Sequence, residues 1–234
     1  MDSNSLLKSI KTRVERTLSQ GPPIDLSTLK CNHYLRRHVN NKTKLVVLCV
    51  DLVGSTKLSL SLSPQELISI INIFSTEMSI IISGHGGYIL KYIGDAVIAI
   101  FPAEFDSGKA CFNALYSAKT MVRIINQVIN PVLCNKLPQI KVKIGIDLGE
   151  SMVVLYGKNL DTSHIDLIGS GISIAAKITA LAKPNQILIS ENVFENIVNV
   201  SKDTNFQKLD IVDEGWNYIN TKTSKILNVY VVLK

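Results

Sequence analysis

From Lys44 to Val50 the chain reads Lys-Leu-Val-Val-Leu-Cys-Val and then meets Asp51. An apolar run this dense and without alternation specifies a strand buried on both faces, so other elements must cover each side of it. A second signal follows at Tyr88-Ile89-Leu90-Lys91-Tyr92-Ile93-Gly94-Asp95-Ala96-Val97-Ile98-Ala99-Ile100-Phe101. Two β-rich runs separated by Gly-Asp predict a tight hairpin over 88–93 and 96–101. A central strand beside a hairpin fixes most of what the remaining segments can do.

Those segments are readable in outline. Leu6, Leu7, Ile10, Val14 and Leu18 recur at helical spacing, and Gly21-Pro22-Pro23 ends that amphipathic helix. Residues 24–43 read as a polar linker, so the chain divides into a basic N-terminal helix and linker (1–43) and a main domain (44–234). Ser63-Pro64 with Glu66 is the start of a helix over 64–83, with Ser63 as N-cap and Pro64 in the first turn. A second helix is expected over 106–129, stopped by Pro131, then a strand over 141–148 closed by Gly149. A third helix over 170–182, a strand over 186–190, a short helix over 191–197 and a final strand over 226–233 complete the order. Strand, helix, hairpin, helix, strand is the split β-α-β arrangement. The expected class is therefore α+β, a ferredoxin-like βαββαβ domain with a C-terminal extension and a basic N-terminal helical segment.

Apolar residues make up 46% of the 234 and charged residues 19%, which is a globular balance. No apolar stretch approaches the ~20 residues that cross a bilayer, so no transmembrane segment is expected. The four cysteines show no paired spacing and the four histidines no matching ligand pattern, which argues for a soluble protein of the reducing cytoplasm and against zinc. Residues 1–44 hold nine Lys/Arg against three Asp/Glu, whereas the rest holds sixteen of each. A solvated basic helix explains that excess, and the absence of interleaved aromatics gives no support for nucleic acid.

Asp51 and Asp95 are the chemical centre of the reading. A strand-end carboxylate and one on an adjacent hairpin turn can converge, and hard cations such as Mg²⁺ select carboxylate oxygen while keeping substrate phosphates in their shell. Two such ions are suited to phosphoryl transfer. Either aspartate alone reads as a cap or an ordinary turn residue; the pair beside Val53-Gly54-Ser55-Thr56, a small-residue turn able to form an anion nest, does not.

Val50-Asp51-Leu52-Val53-Gly54-Ser55-Thr56-Lys57-Leu58-Ser59, Lys91 through Phe101, and Lys143-Ile144-Gly145-Ile146-Asp147-Leu148-Gly149-Glu150 occur in order. Asp166-Leu167-Ile168-Gly169, Ala175-Ala176-Lys177-Ile178 and Pro184-Asn185-Gln186-Ile187-Leu188-Ile189-Ser190 continue the series. Over about residues 44–200 the chain resembles the class III nucleotidyl cyclases, and closest the adenylyl type. The resemblance implies a head-to-tail dimer with active sites at the interface. It implies two divalent ions (Mg²⁺ or Mn²⁺) on Asp51, Asp95 and the backbone of Leu52, and phosphates wrapped by Val53, Gly54, Ser55 and Thr56. Lys91 matches the base-reading lysine and Asp166 its partner aspartate, expected from the other protomer. The implied chemistry is attack of the ribose 3′-hydroxyl of ATP on the α-phosphate, giving cyclic AMP and pyrophosphate.

Lys91 donates and Asp166 accepts, an order that suits adenine and also cytosine but not guanine or uracil. The sequence departs from the family where an asparagine orients the ribose and an arginine stabilises the transition state: those positions are Ser173 and Lys177. Lysine keeps the charge but lacks the bidentate fork. Three readings follow: a working homodimeric adenylate cyclase, a regulatory nucleotide-binding domain, and the metal-binding half of a heterodimer. A pyrimidine cyclase of the same superfamily is a further alternative.

Overall fold

The computed structural model describes residues 3–24, 26–134, 136–201, 203–211, 215–220 and 223–233, with side chains from Leu7 onward; Leu6, expected on the apolar helix face, lies outside the described side chains. The chain opens with α1 (Ser3–Gln20) and α2 (Leu29–Arg36), then β1 (Lys42–Leu52), α3 (Ser55–Ser61) and α4 (Pro64–Gly84). The hairpin β2 (Tyr88–Ile93) and β3 (Ala96–Pro102) leads to α5 (Ser107–Ile124), a π turn (Ile125–Ile129) and α6 (Asn130–Leu133). After these come β4 (Val142–Tyr156), β5 (His164–Ile168), α7 (Ser170–Leu181), β6 (Gln186–Ser190) and α8 (Glu191–Ile197). The C-terminal part carries β7 (Phe206–Lys208), β8 (Ile219–Asn220), β9 (Lys225–Ile226) and β10 (Val229–Val232).

The main sheet runs β2-β3-β1-β4-β6-β10-β7, with β5 added along β4. β1 is antiparallel to both β3 and β4, which is the ferredoxin-like order; β4 and β6 are parallel and begin the extension. The apolar run does what its density requires. Val46, Leu48 and Val50 face a core completed by Phe74 of α4 and Leu115 of α5. Leu45, Val47 and Cys49 face a second cluster with Leu35 of α2, Leu167 of β5 and Ala175 of α7.

Helix α4 starts where Ser63-Pro64 places it. The Glu66 N–H donates to Ser63 Oγ at 3.4 Å and the Ser63 N–H to Glu66 Oε2 at 2.9 Å, a complete capping box. By length and composition α4 is apolar enough to cross a membrane, although polar residues break its apolar runs; 56% of its most apolar window is buried inside this fold, as in a core helix.

Three other expectations are corrected. The 24–43 linker contains α2, whose Cys31 and Leu35 are buried. Pro131 does not end the second long helix: it occupies the first turn of α6, where a missing N–H is harmless, and the helical path continues to Leu133. The final strand is split, with β9 paired to β8 and β10 paired to β6.

Helix α1 is part of the main core through Ile10 and Val14. Arg13 donates to both carboxylate oxygens of Glu77 on α4, at 2.7 and 2.6 Å. Glu77 is 1% exposed, so Arg13→Ala leaves a buried carboxylate without its cation. Breaking a fully sealed pair costs roughly 3–5 kcal/mol. Arg13 is itself 22% exposed, so we expect a loss of about 2 kcal/mol in denaturant unfolding, with wild-type stability retained in the control Lys11→Ala on the exposed face.

Candidate active site

The backbone brings the two aspartates together. Asp51 lies opposite Ala96 of β3 on one side and Lys143 of β4 on the other. The Leu52 N–H donates to the Asp95 carbonyl at 3.3 Å, which ties the end of β1 to the β2–β3 turn. Gly94 takes φ +59° there, the left-handed geometry that a two-residue turn needs and that glycine adopts without strain. The carboxyl of Asp51 is held above the usual carboxylate range, first by burial and then by the negative charge of Asp95, with Lys143 acting in the opposite direction. A carboxylate whose ionisation is made costly by burial and by a second carboxylate beside it is suited to a cation at that place. Among the described residues no group of three or more His, Cys, Asp or Glu forms a cation cage, so any ion here would take further oxygens from backbone, water or phosphate, as Mg²⁺ usually does.

The loop after β1 is more selective than its sequence suggested. The Val53 N–H already donates to the Lys141 carbonyl at 2.9 Å. Gly54, at φ +74°, is the N-cap of α3 with no side-chain cap. Within α3 the first bond back is from the Leu58 N–H to the Gly54 carbonyl at 3.0 Å. The N–H groups of the first turn have no partner inside the helix, which is the general condition of helix starts. Donors for an anion thus begin at Gly54 rather than at Val53.

Lys91 on β2 and Asp166 on β5 form an ion pair within one chain. This corrects the expectation that Asp166 meets Lys91 from the other protomer. The physical reason is the second face of the sheet: β4 continues to Tyr156 and returns as β5, and Ile165 and Leu167 bury themselves against Leu90, Leu45 and Val47. Asp166, between those two apolar residues, is carried over β2. Its Oδ1 also accepts from the Leu167 N–H at 2.8 Å. The carboxylate is therefore oriented, with its second oxygen on Lys91.

Ser173 and Lys177 stand on the exposed face of α7, one helical turn apart. Ser173 Oγ donates back to the Gly169 carbonyl at 3.3 Å. The structure gives neither residue a contact with Asp51 or Asp95. Lys143 is a site residue that the sequence pattern does not single out; it stands directly across from Asp51 in the β1–β4 register, its charge acts on the Asp51 carboxyl, and its Nζ also donates to the Ala180 carbonyl at 3.5 Å.

Comparison with known proteins agrees with this geometry. The family described as "Adenylate and Guanylate cyclase catalytic domain" matches residues 38–225. A cytidylate cyclase from Escherichia coli is 27% identical over 189 residues, covering 75% of this chain and 41% of that protein. An adenylate cyclase from Anabaena cylindrica is 33% identical over 162 residues, 66% of this chain and 31% of that protein. The chain thus spans well under half the length of these two relatives. Among solved structures, the adenylyl cyclase CyaB from P. aeruginosa superposes with a TM-score of 0.70 at 24% identity, over 83% of this chain and 95% of that one. A guanylate cyclase domain from Catenaria anguillulae gives 0.65 at 19% identity, over 82% and 98%. By its family match over residues 38–225, its sheet order and its paired carboxylates, the chain belongs to the adenylate and guanylate cyclase catalytic domain family.

Proposed function

We propose that this domain converts a ribonucleoside triphosphate, with ATP as first substrate, into its 3′,5′-cyclic monophosphate and pyrophosphate. The observation that carries this reading is the convergence of Asp51 and Asp95 at one end of β1 while Lys91 and Asp166 pair across β2 and β5. Two Mg²⁺ or Mn²⁺ ions, held by Asp51, Asp95 and the carbonyl of Leu52, would supply activation of the ribose hydroxyl and neutralisation of phosphate charge. Gly54, Ser55 and Thr56 offer N–H donors to the triphosphate, and Lys143 adds positive charge beside Asp51. Lys91 and Asp166 satisfy each other in the chain as it stands. A bound base must replace that contact with two hydrogen bonds, one accepted from Lys91 and one donated to Asp166. Adenine and cytosine present that order; guanine and uracil would leave these two half-buried polar groups without matching partners on the base.

The site is completed by a second copy. Ser173 and Lys177 face outward from α7 and touch neither aspartate of their own chain, which suits a homodimer that lends them to the facing site. A heterodimer with a chain carrying Asn and Arg at those positions is the second form of the same proposal. We place the domain in the reducing cytoplasm, where nucleoside triphosphates are abundant; Cys31, Cys49 and Cys134 stand as thiols, in keeping with that compartment.

The test is incubation of the purified chain with Mn²⁺ or Mg²⁺ and each of the four ribonucleoside triphosphates, followed by mass detection of cyclic products. Cyclic AMP is the expected product. Cyclic CMP would keep Lys91 and Asp166 as base readers and move the choice to pocket size, whereas cyclic GMP or UMP would overturn their assignment. Absence of every product, from protein that binds ATP and metal, would favour a regulatory domain whose Ser173 and Lys177 no longer support turnover.

A further inference from the structure

Halfway along β4 the sheet is interrupted on one side. β6 pairs with Lys143–Ile146 and β5 with Met152–Tyr156. From Asp147 to Ser151, the β4 edge turned away from β1 therefore has no paired strand beside it. A cavity of about 550 Å³ lies there, and Asp147 and Ser151 both line it. That is the size range of small-molecule sites.

The inner wall is polar in an unusual way. Asp147 is 1% exposed and Ser151 2%, yet Asp147 Oδ1 and Ser151 Oγ have no hydrogen-bond partner among the described residues. Buried polar atoms are almost always paired, and leaving a carboxylate oxygen unpaired is costly. Burial pushes the Asp147 carboxyl up to about 6, opposed by donation from Ser190, Asn192 and the Leu148 N–H. Near pH 7.5 it is therefore mostly ionised and can only accept. Gly149 and Gly169 flank these two groups: a Cβ on Gly149 would stand 3.5 Å from Asp147 Oδ2, and one on Gly169 3.5 Å from Ser151 Oγ, ordinary contact distances.

The other walls differ in character. Ile168 and Ile174 give apolar surface, while Lys42 and Lys44 stand at the rim. Lys42 is shared with Glu150 at 3.8 Å, which leaves the rim with a net positive charge. We propose that this cavity binds a small heterocycle bearing N–H donors and an anionic substituent. Its N–H groups would rest on Asp147 Oδ1 and Ser151 Oγ, its ring against Ile168 and Ile174, and its negative charge toward Lys42 and Lys44. Lys44 lies seven residues along β1 from Asp51, about 24 Å at the rise of an antiparallel strand, so the cavity is separate from the carboxylate pair.

Mononucleotides are convenient probes of this chemistry, since each joins an N–H-bearing ring to a phosphate. The 5′-monophosphates of adenosine, guanosine, cytidine and uridine are titrated singly into the full chain with divalent metal chelated, and backbone amide resonances are followed by NMR. Catalysis plays no part in this readout, so a failed cyclase assay and a failed titration are independent results. Saturable shifts centred on Gly149, Ser151 and Gly169 with at least one probe are expected. Asp147→Asn and Ser151→Ala should each weaken them at least about tenfold, the scale of a lost hydrogen bond to a charged group. The two variants differ in shape and charge, so one that misfolds does not remove the test. Absence of shifts with all four probes, shifts confined to Gly54–Thr56, or affinities unchanged in both variants would overturn the proposal and leave the cavity to water.

Discussion

Asp51→Ala is expected to lower cyclase turnover at least about 1000-fold, since it removes a charged group from the reacting centre together with its share of metal binding. The same change should leave the melting temperature equal to that of the wild type or raise it. The sign follows from the site. Burial and the charge of Asp95 hold the Asp51 carboxyl above its ordinary range, so ionised Asp51 destabilises the metal-free fold. That cost is absent at pH values where Asp51 is protonated in both states, sets in as pH rises past its ordinary unfolded value, and is fully present once pH has passed its higher folded value. Removing the carboxylate relieves it, and Asp95→Ala should relieve it from the other side. Asp51→Asn sharpens the test, because it keeps the shape and loses only the charge. A structural role predicts an active Asn variant; a metal role predicts an inactive one whose melting temperature no longer rises with Mg²⁺ and nucleotide. Collapse of the fold in all three variants would assign the pair to stability instead.

How much of this was legible in the sequence depended on whether the governing physics was local. The β1 run, the Ser63-Pro64 start of α4 and the Gly94-Asp95 hairpin each carry their reason within a few residues, and each sits where those residues place it. Helix α2 did not announce itself. Its eight residues include only Cys31 and Leu35 as buried apolar positions, and these gain their burial from residues outside the helix, Leu45 and Val47 of β1 and Leu90 of β2. Gly149 was misread for a related reason. It resembles a strand terminator, yet β4 passes through it to Tyr156. A Cβ there would stand 3.2 Å from Gly171 Cα, so the glycine serves the close approach of α7 rather than a turn.

The candidate site divides in the same way. Asp51 and Asp95 are found from the strand and hairpin patterns that carry them. Lys143 opposite Asp51, and the intrachain route of Asp166 to Lys91, need the register of β4 and the return of β5 over the second face. Motif order pointed to Lys91 and Asp166 as partners, but only the chain topology shows that the two pair within one chain. The unpartnered oxygens of Asp147 and Ser151 were likewise invisible in sequence, because an Ile-Asp-Leu-Gly-Glu-Ser stretch gives no sign of where two neighbouring strands stop.

Ser173→Asn with Lys177→Arg should raise turnover about 100-fold, chiefly in kcat. At present Ser173 spends its hydroxyl proton on the Gly169 carbonyl of its own helix, and one short side chain remains to reach outward. Asparagine is longer and offers both a donor and an acceptor to a ribose. Lys177, one turn further on the same exposed face, carries a point charge where a planar fork would bind two phosphate oxygens at once. Loss of one such stabiliser typically costs roughly 10²–10³ in rate, so restoring two weakened ones supports a gain of the expected size even if the two are not additive. A fall in KM with unchanged kcat would mean that the face binds substrate without stabilising the transition state. Unchanged kinetics in the double variant, at an unchanged melting temperature, would remove Ser173 and Lys177 from the reaction and favour a second, different chain as the source of those groups. The singles separate the contributions: Lys177→Arg acts on the charge that develops during phosphoryl transfer, so its effect should persist with any triphosphate accepted, whereas Ser173→Asn should act through the ribose and shrink with a 2′-deoxyribonucleoside triphosphate, which keeps the reacting 3′-hydroxyl.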